Sequence, residues 1–204
     1  MSSSAVIETS TVSGFFGKLP SRGDFVRAGL PRSFVQPWDD WLQQAIAGSR
    51  AILGERWRTA WMEAPIWRFA LPAGQCGPDA VRGLWLPSVD AAGRYFPLTL
   101  ACLGPDDGDF LTIAAAAGLD ALHHDLSPDA LAARLAAPRI EPAADPLILP
   151  SDGSALWWTD GSPFVPPTRL TLASLPDATV FAAMLYAADR DQPDSPPAAG
   201  EVRE

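Results

Sequence analysis

The chain has 204 residues, is 48% hydrophobic and 19% charged, and so has the composition of a folded protein of one domain, or of two small ones. Its formal net charge of −9 argues against nucleic acid and anionic membranes, which select basic surfaces. No apolar run approaches the roughly 20 residues of a membrane helix, and Cys76 and Cys102 are too few for a disulfide framework or a zinc quartet.

Residues 1–12 are rich in serine and threonine and are expected to be flexible. They show neither a basic opening nor an apolar signal core, which predicts a soluble cytoplasmic protein. Val12 to Leu19 reads as a first strand, followed by a turn-rich loop at Pro20, Ser21, Arg22, Gly23 and Asp24. Phe34, Trp38, Trp41, Leu42, Ala45, Ile46, Ile52 and Leu53 recur near the helical period and predict a helix over about 33–53. Its start is ambiguous: Ser33 and Gln36 could form a capping box, whereas a start at Pro37 avoids losing a backbone hydrogen bond. Gly54 is a natural stop. A short helix over 55–64 would stack Trp57 on Trp61 and end before Pro65.

The period then changes to that of strands at Trp67 to Leu71, Val81 to Leu86 and Arg94 to Leu103. The last two are joined by the short stretch Pro87 to Gly93. A parallel crossover needs about a dozen residues or more, so this pair should be an antiparallel hairpin, which argues against a doubly wound sheet. Helices follow at 109–125, capped by Asp109, and at 128–137, capped by Ser127 with Pro128 in its first position. A proline-rich connector over 138–154 leads to a strand at Ala155 to Thr159 and a last helix over 178–188. The tail over 191–204 has too little apolar content to order itself. The sum is an α+β fold: a single domain over 13–190, with helices covering an antiparallel sheet.

Charge is unevenly spread. Residues 1–103 carry 10 Lys+Arg against 8 Asp+Glu, a net of +2, and residues 104–204 carry 5 against 16, a net of −11. Lys18 is the one lysine; every other basic residue is an arginine.

No G-x-S-x-G elbow or phosphate-binding loop occurs. His123 and His124 are helix neighbours and point about 100° apart, so they do not converge on a metal as an i, i+4 pair would. Asp106, Asp107 and Asp109 lack the spacing of a calcium loop and suit the start of a helix. Cys102 reads as a core thiol, and Cys76 has no base beside it in sequence. These absences predict a protein without cofactor, metal or enzymatic activity.

Two polar loops carry the remaining chemistry: Ser21, Arg22 and Asp24 in one, Ser88, Asp90 and Arg94 in the other. Each sets an Asp and an Arg in a turn that contains glycine. Three uses are open. The Asp side chains could cap loop amides and pair with the arginines. The loops could form a recognition surface, helped by aromatic side chains at its rim. Asp24 and Asp90 could act as paired catalytic carboxylates in a cleft.

Several segments resemble the TagF/ImpM family of type VI secretion accessory proteins. Gly14 to Pro20 followed by Gly23, Asp24 and Phe25 is similar to that family's opening signature. Pro37, Trp38, Asp39 and Trp41 continue the likeness, as do Pro65 with Trp67, Arg68 and Phe69. The most specific block is Pro87 to Asp90, Gly93, Arg94 and Phe96 to Thr99, and Trp157, Trp158 and Gly161 resemble a later tryptophan pair. The likeness is dense over 13–103 and sparse beyond. It implies a longin-like α+β unit from a bacterial cytoplasm, one that restrains the secretion apparatus after translation by binding a forkhead-associated (FHA) scaffold component. Some relatives carry a fused PP2C-type phosphatase domain, for which this chain has no room. The resemblance assigns no catalytic residue. A small hydrolase or transferase using Asp24 and Asp90, or a structural subunit of the apparatus, are the competing readings.

Overall fold

The computed structural model describes residues 11–104, 110–124, 126–136 and 149–187. Strands β1 (Val12–Gly17) and β2 (Val26–Ala28) precede helix α1 (Arg32–Leu53), which passes through a 3₁₀ turn at Gly54–Arg56 into α2 (Trp57–Met62). Strands β3 (Trp67–Leu71), β4 (Val81–Leu86) and β5 (Leu98–Leu103) follow, then α3 (Phe110–His123) and α4 (Pro128–Leu135). Strands β6 (Ala155–Thr159) and β7 (Thr168–Leu172) and helix α5 (Ala178–Leu185) complete the fold. The strands form one sheet in the order β2-β1-β5-β4-β3-β6-β7, and every neighbouring pair is antiparallel. The β4–β5 hairpin required by the short Pro87–Gly93 connection lies at its centre.

Helices cover both faces. Helices α1, α2 and α5 seal one face over Trp67, Phe69, Leu71, Val81, Trp85 and Trp157. Helices α3 and α4 seal part of the other over Phe15, Leu84, Leu86, Leu98 and Leu100. All six residues of β5 are buried as a result, which is why Leu98 to Leu103 is apolar throughout except at Thr99 rather than alternating. Full burial of each large apolar side chain contributes about 1.5–3 kcal/mol.

The first face is rich in tryptophan. Trp38 lies fully buried with ring centroids 4.6 Å from both Trp41 and Phe69, and its Nε1–H donates to Thr99 Oγ1 at 2.9 Å. Bonding that N–H inside the core removes the penalty of burying a bare donor. Gly83 on β4 is where the sheet tolerates no side chain: a Cβ there would lie 2.5 Å from the Phe69 ring and 2.6 Å from the Leu100 carbonyl oxygen. Gly48 plays the same part between helices, since a Cβ would meet that of Ala178 on α5 at 2.4 Å.

Several boundaries differ from expectation. Helix α1 starts at Arg32, with Pro31 at its N-cap and no side-chain cap, and it runs through Pro37. Neither the Ser33–Gln36 box nor a start at Pro37 is realised. The Pro31 carbonyl accepts from the amides of Phe34 and Val35, and burial of both side chains outweighs the hydrogen bond that Pro37 removes. The strand expected from Arg94 begins at Leu98, because Pro97 has no amide proton for a ladder and residues 94–97 serve the hairpin turn instead. Two edge strands, β2 and β7, have no counterpart in the sequence reading. Ser127 does cap α4, accepting from the Ala130 amide, and β6 has the predicted bounds. The proposed Asp109 cap and the tail after Asp191 lie outside the described residues.

Candidate interaction site

The two polar loops meet, and one of them is built around a buried carboxylate. Asp90 has a fully buried side chain and accepts four hydrogen bonds. Its Oδ1 receives the amides of Ala92 and Arg94, each at 2.9 Å. Its Oδ2 receives the Lys18 ammonium and, at 2.8 Å, Arg94 Nε. The loop turns tightly around this residue, with the Gly93 amide bonded to the Asp90 carbonyl and the Asp90 amide to the Arg94 carbonyl. Burial pushes the Asp90 carboxyl up, but the Lys18 ammonium, the Arg94 amide and guanidinium and the Ala92 amide together hold it well below the usual carboxylate range.

Bonds from the Asp90 neighbours Ala91 and Arg94 tie the other loop down. Arg94 Nη2 donates to the Gly23 carbonyl and the Ala91 amide to the Arg22 carbonyl. Ser88 Oγ donates to the Lys18 carbonyl at 2.9 Å, and the Ser88 carbonyl accepts from Trp61 Nε1 at 3.2 Å. The six residues singled out in sequence therefore divide. Ser88 and Asp90 are buried and structural, Arg94 is exposed yet bonded to both Asp90 and the Gly23 carbonyl, and Ser21, Arg22 and Asp24 are exposed. Asp24 makes no hydrogen bond or ion pair among the described residues. An enclosed carboxylate held ionised by four donors has no free lone pair to offer a substrate, so pairing Asp24 with Asp90 in a cleft finds no support in this geometry.

Three features escaped the sequence reading. Lys18 is 4% exposed, pairs with Asp90 and lies 4.5 Å from the centroid of the Phe25 ring. The signal was its being the one lysine of the chain, set within an apolar run. Phe25 stacks on Phe16 at 5.5 Å and meets Phe96 edge-on at 4.8 Å, yet remains 49% exposed. A pocket of about 410 Å³ opens beside both loops, lined by Pro20, Pro87, Ser88 and Val89 on one side. Trp61, Met62 and Ile66 form another wall, and Leu119, Leu122 and His123 of α3 a third. Met62 and Leu119 are 59% and 40% exposed. Nothing local in the sequence brings α2 and α3 to one mouth; the sheet does.

Other reactive groups are quiet. Burial pushes the Cys76 thiol up to about 12, so it stays protonated at neutral pH and is a poor nucleophile. His123 and His124 are both exposed, with their rings at 89° to one another. Among the described residues no group of His, Cys, Asp and Glu could hold a metal ion, and no helix is long and apolar enough to cross a membrane.

Comparison with known proteins shows what the chain is similar to. The family described as the TagF N-terminal domain, type VI secretion system-associated, matches residues 14–138, a span that contains both loops and the pocket. Among solved structures, PA0076 from Pseudomonas aeruginosa PAO1 is similar, with 34% identity and a TM-score of 0.73 over 90% of this chain and 98% of that one. No curated protein matches the chain.

Proposed function

This chain belongs to the TagF family of type VI secretion-associated proteins, and from that premise we propose that it restrains assembly or firing of the secretion apparatus by binding an FHA scaffold component, without catalysis. The observation that carries the reading is the division of labour in the loops. A buried Asp90 fixes its own loop and pins Arg94, which holds the other loop at Gly23, while Arg22, Asp24, the outer part of Arg94 and half of Phe25 stand in solvent near an apolar pocket. Arg and aromatic side chains held in one geometry lose little freedom when a partner arrives, and such residues dominate binding energy at interfaces. The pocket mouth, with Met62 and Leu119 exposed, offers room for an apolar anchor next to the charges.

The test is binding of the purified chain to the purified cognate FHA scaffold by calorimetry. An Arg22→Ala, Asp24→Ala double variant removes two side chains that make no hydrogen bond or ion pair among the described residues. It is expected to weaken binding at least about tenfold, roughly the effect of losing contacts worth 1.4 kcal/mol. Unchanged affinity in the folded double variant would move the interface elsewhere. Deleting the gene separates a brake from a structural subunit: secretion rises for the first and is lost for the second.

A further inference from the structure

The two edges of the sheet are finished differently. At one, β2 has three residues and α4 packs against it. At the other, β7 has five residues, none of them buried, and among the described residues no strand pairs with its outer side. Leu170 and Leu172 pack against the core beneath α1 and α5, so the alternation of a strand puts Arg169 and Thr171 on the opposite face.

The sheet register gives that face a definite character. Arg68 on β3 lies beside Trp158 on β6, and Trp158 beside Arg169 on β7. A row of Arg, Trp and Arg thus runs to the edge of the sheet. Helices α3 and α4 lie on this face over β4, β5, β1 and β2, and among the described residues neither packs broadly over β3, β6 or β7. Arg68 is held by Asp160 at 2.8 Å. Arg169 is exposed and makes no ion pair among the described residues. In a chain of net charge −9, this edge presents a cation at the position where the next strand would continue the row.

We propose that β7 is a docking edge for an extended acidic segment of another protein, which adds to the sheet as an eighth strand. Backbone hydrogen bonds to the outer edge of β7 supply affinity, and alternate side chains supply specificity. A carboxylate directly opposite Arg169 extends the Arg68–Trp158–Arg169 row with the favourable sign. Apolar residues at the alternate positions pack beside Leu170 and Leu172. A basic strand would be repelled. Two β7 strands pairing in their longest registers would set one Arg169 directly or diagonally beside the other, so a second copy is disfavoured as well.

The experiment uses the full ¹⁵N-labelled chain and two blocked peptides of eight residues, one alternating valine with aspartate, the other valine with lysine. The aspartate peptide is expected to shift the amides of Thr168 to Leu172 saturably, with the lysine peptide at least about tenfold weaker. An Arg169→Glu variant should reverse that preference. The Arg22→Ala, Asp24→Ala variant should bind both peptides like the parent, so failure here and failure of the loop interface are read separately. Equal response to both peptides, no saturable shift at β7, or indifference to Arg169→Glu would overturn the proposal and leave Arg169 as a charge that merely keeps the edge from aggregating. Concentration-dependent self-association that shifts the same amides would assign the edge to a second copy. Protection of those amides that disappears on deleting residues 188–204 would assign it to this chain. Either result also overturns the proposal.

Discussion

The loop at Ser21–Asp24 and the loop at Ser88–Arg94 are written in nearly the same residues, and the fold uses them in opposite ways. Each has a serine, an arginine, a glycine and an aspartate. Asp90 lies inside, bonded to two cations and two amides, whereas Asp24 stands in water with no partner among the described residues. The difference arises from neighbours distant in sequence. Asp90 follows β4 and faces Lys18 at the end of β1, two strands away across β5. Asp24 lies on the connection to β2, beyond which no other strand is placed among the described residues. Similar turn chemistry is buried and structural at the centre of this sheet and left exposed at its margin.

Substitution at Asp90 should expose this contrast most strongly. Asp90→Ala strands the buried Lys18 ammonium and frees two loop amides, and about 3 kcal/mol of stability is expected to be lost in urea unfolding. Acid should act in the same direction. The folded carboxyl titrates below its unfolded value of about 3.9, so its contribution is complete above that pH and is lost as pH falls through the folded value. The stability of the parent should therefore decline more steeply below about pH 4 than that of Asp90→Asn, as followed by thermal melts across pH. Ser88→Ala leaves the Lys18 carbonyl without its donor and should cost about 1 kcal/mol. At the small end, Asp24→Ala and Arg22→Ala should each change stability by less than about 0.5 kcal/mol. A large loss on Asp24→Ala would show that the outer loop is built like the inner one.

The fold was legible where periodicity is strong and local. Phe34 to Leu53 announces α1 by its spacing, Ala155 to Thr159 announces β6, and the brevity of Pro87–Gly93 fixes the central hairpin as antiparallel. β2 and β7 were not legible. Three residues, Val26 to Ala28, are too few to show a period, and Thr168 to Leu172 alternates its exposure without any full burial. Both strands owe their existence to a neighbour that was already in place. Pro37 misled for a related reason: its local penalty is real, but the core contacts of Phe34 and Val35 exceed it.

The candidate site was half visible. The residues of both loops could be picked out, and so could the roles open to an Asp beside an Arg in a turn. Which role fell to which Asp depended on Lys18, 72 positions away from one and close in sequence to the other. The same holds for the pocket, whose walls come from α2, α3 and two loops.

Read alone, the residue order settled what spacing and steric limits control: the long helix, the antiparallel hairpin, the capped start of α4 and the missing catalytic motifs. Tertiary structure settled what depends on which side of the sheet water reaches. It buried one aspartate and exposed another, opened the apolar pocket and carried Arg169 to the outermost described strand of the sheet. Desolvation depends on the surroundings of a side chain in three dimensions, and chain neighbours supply only a small part of those surroundings.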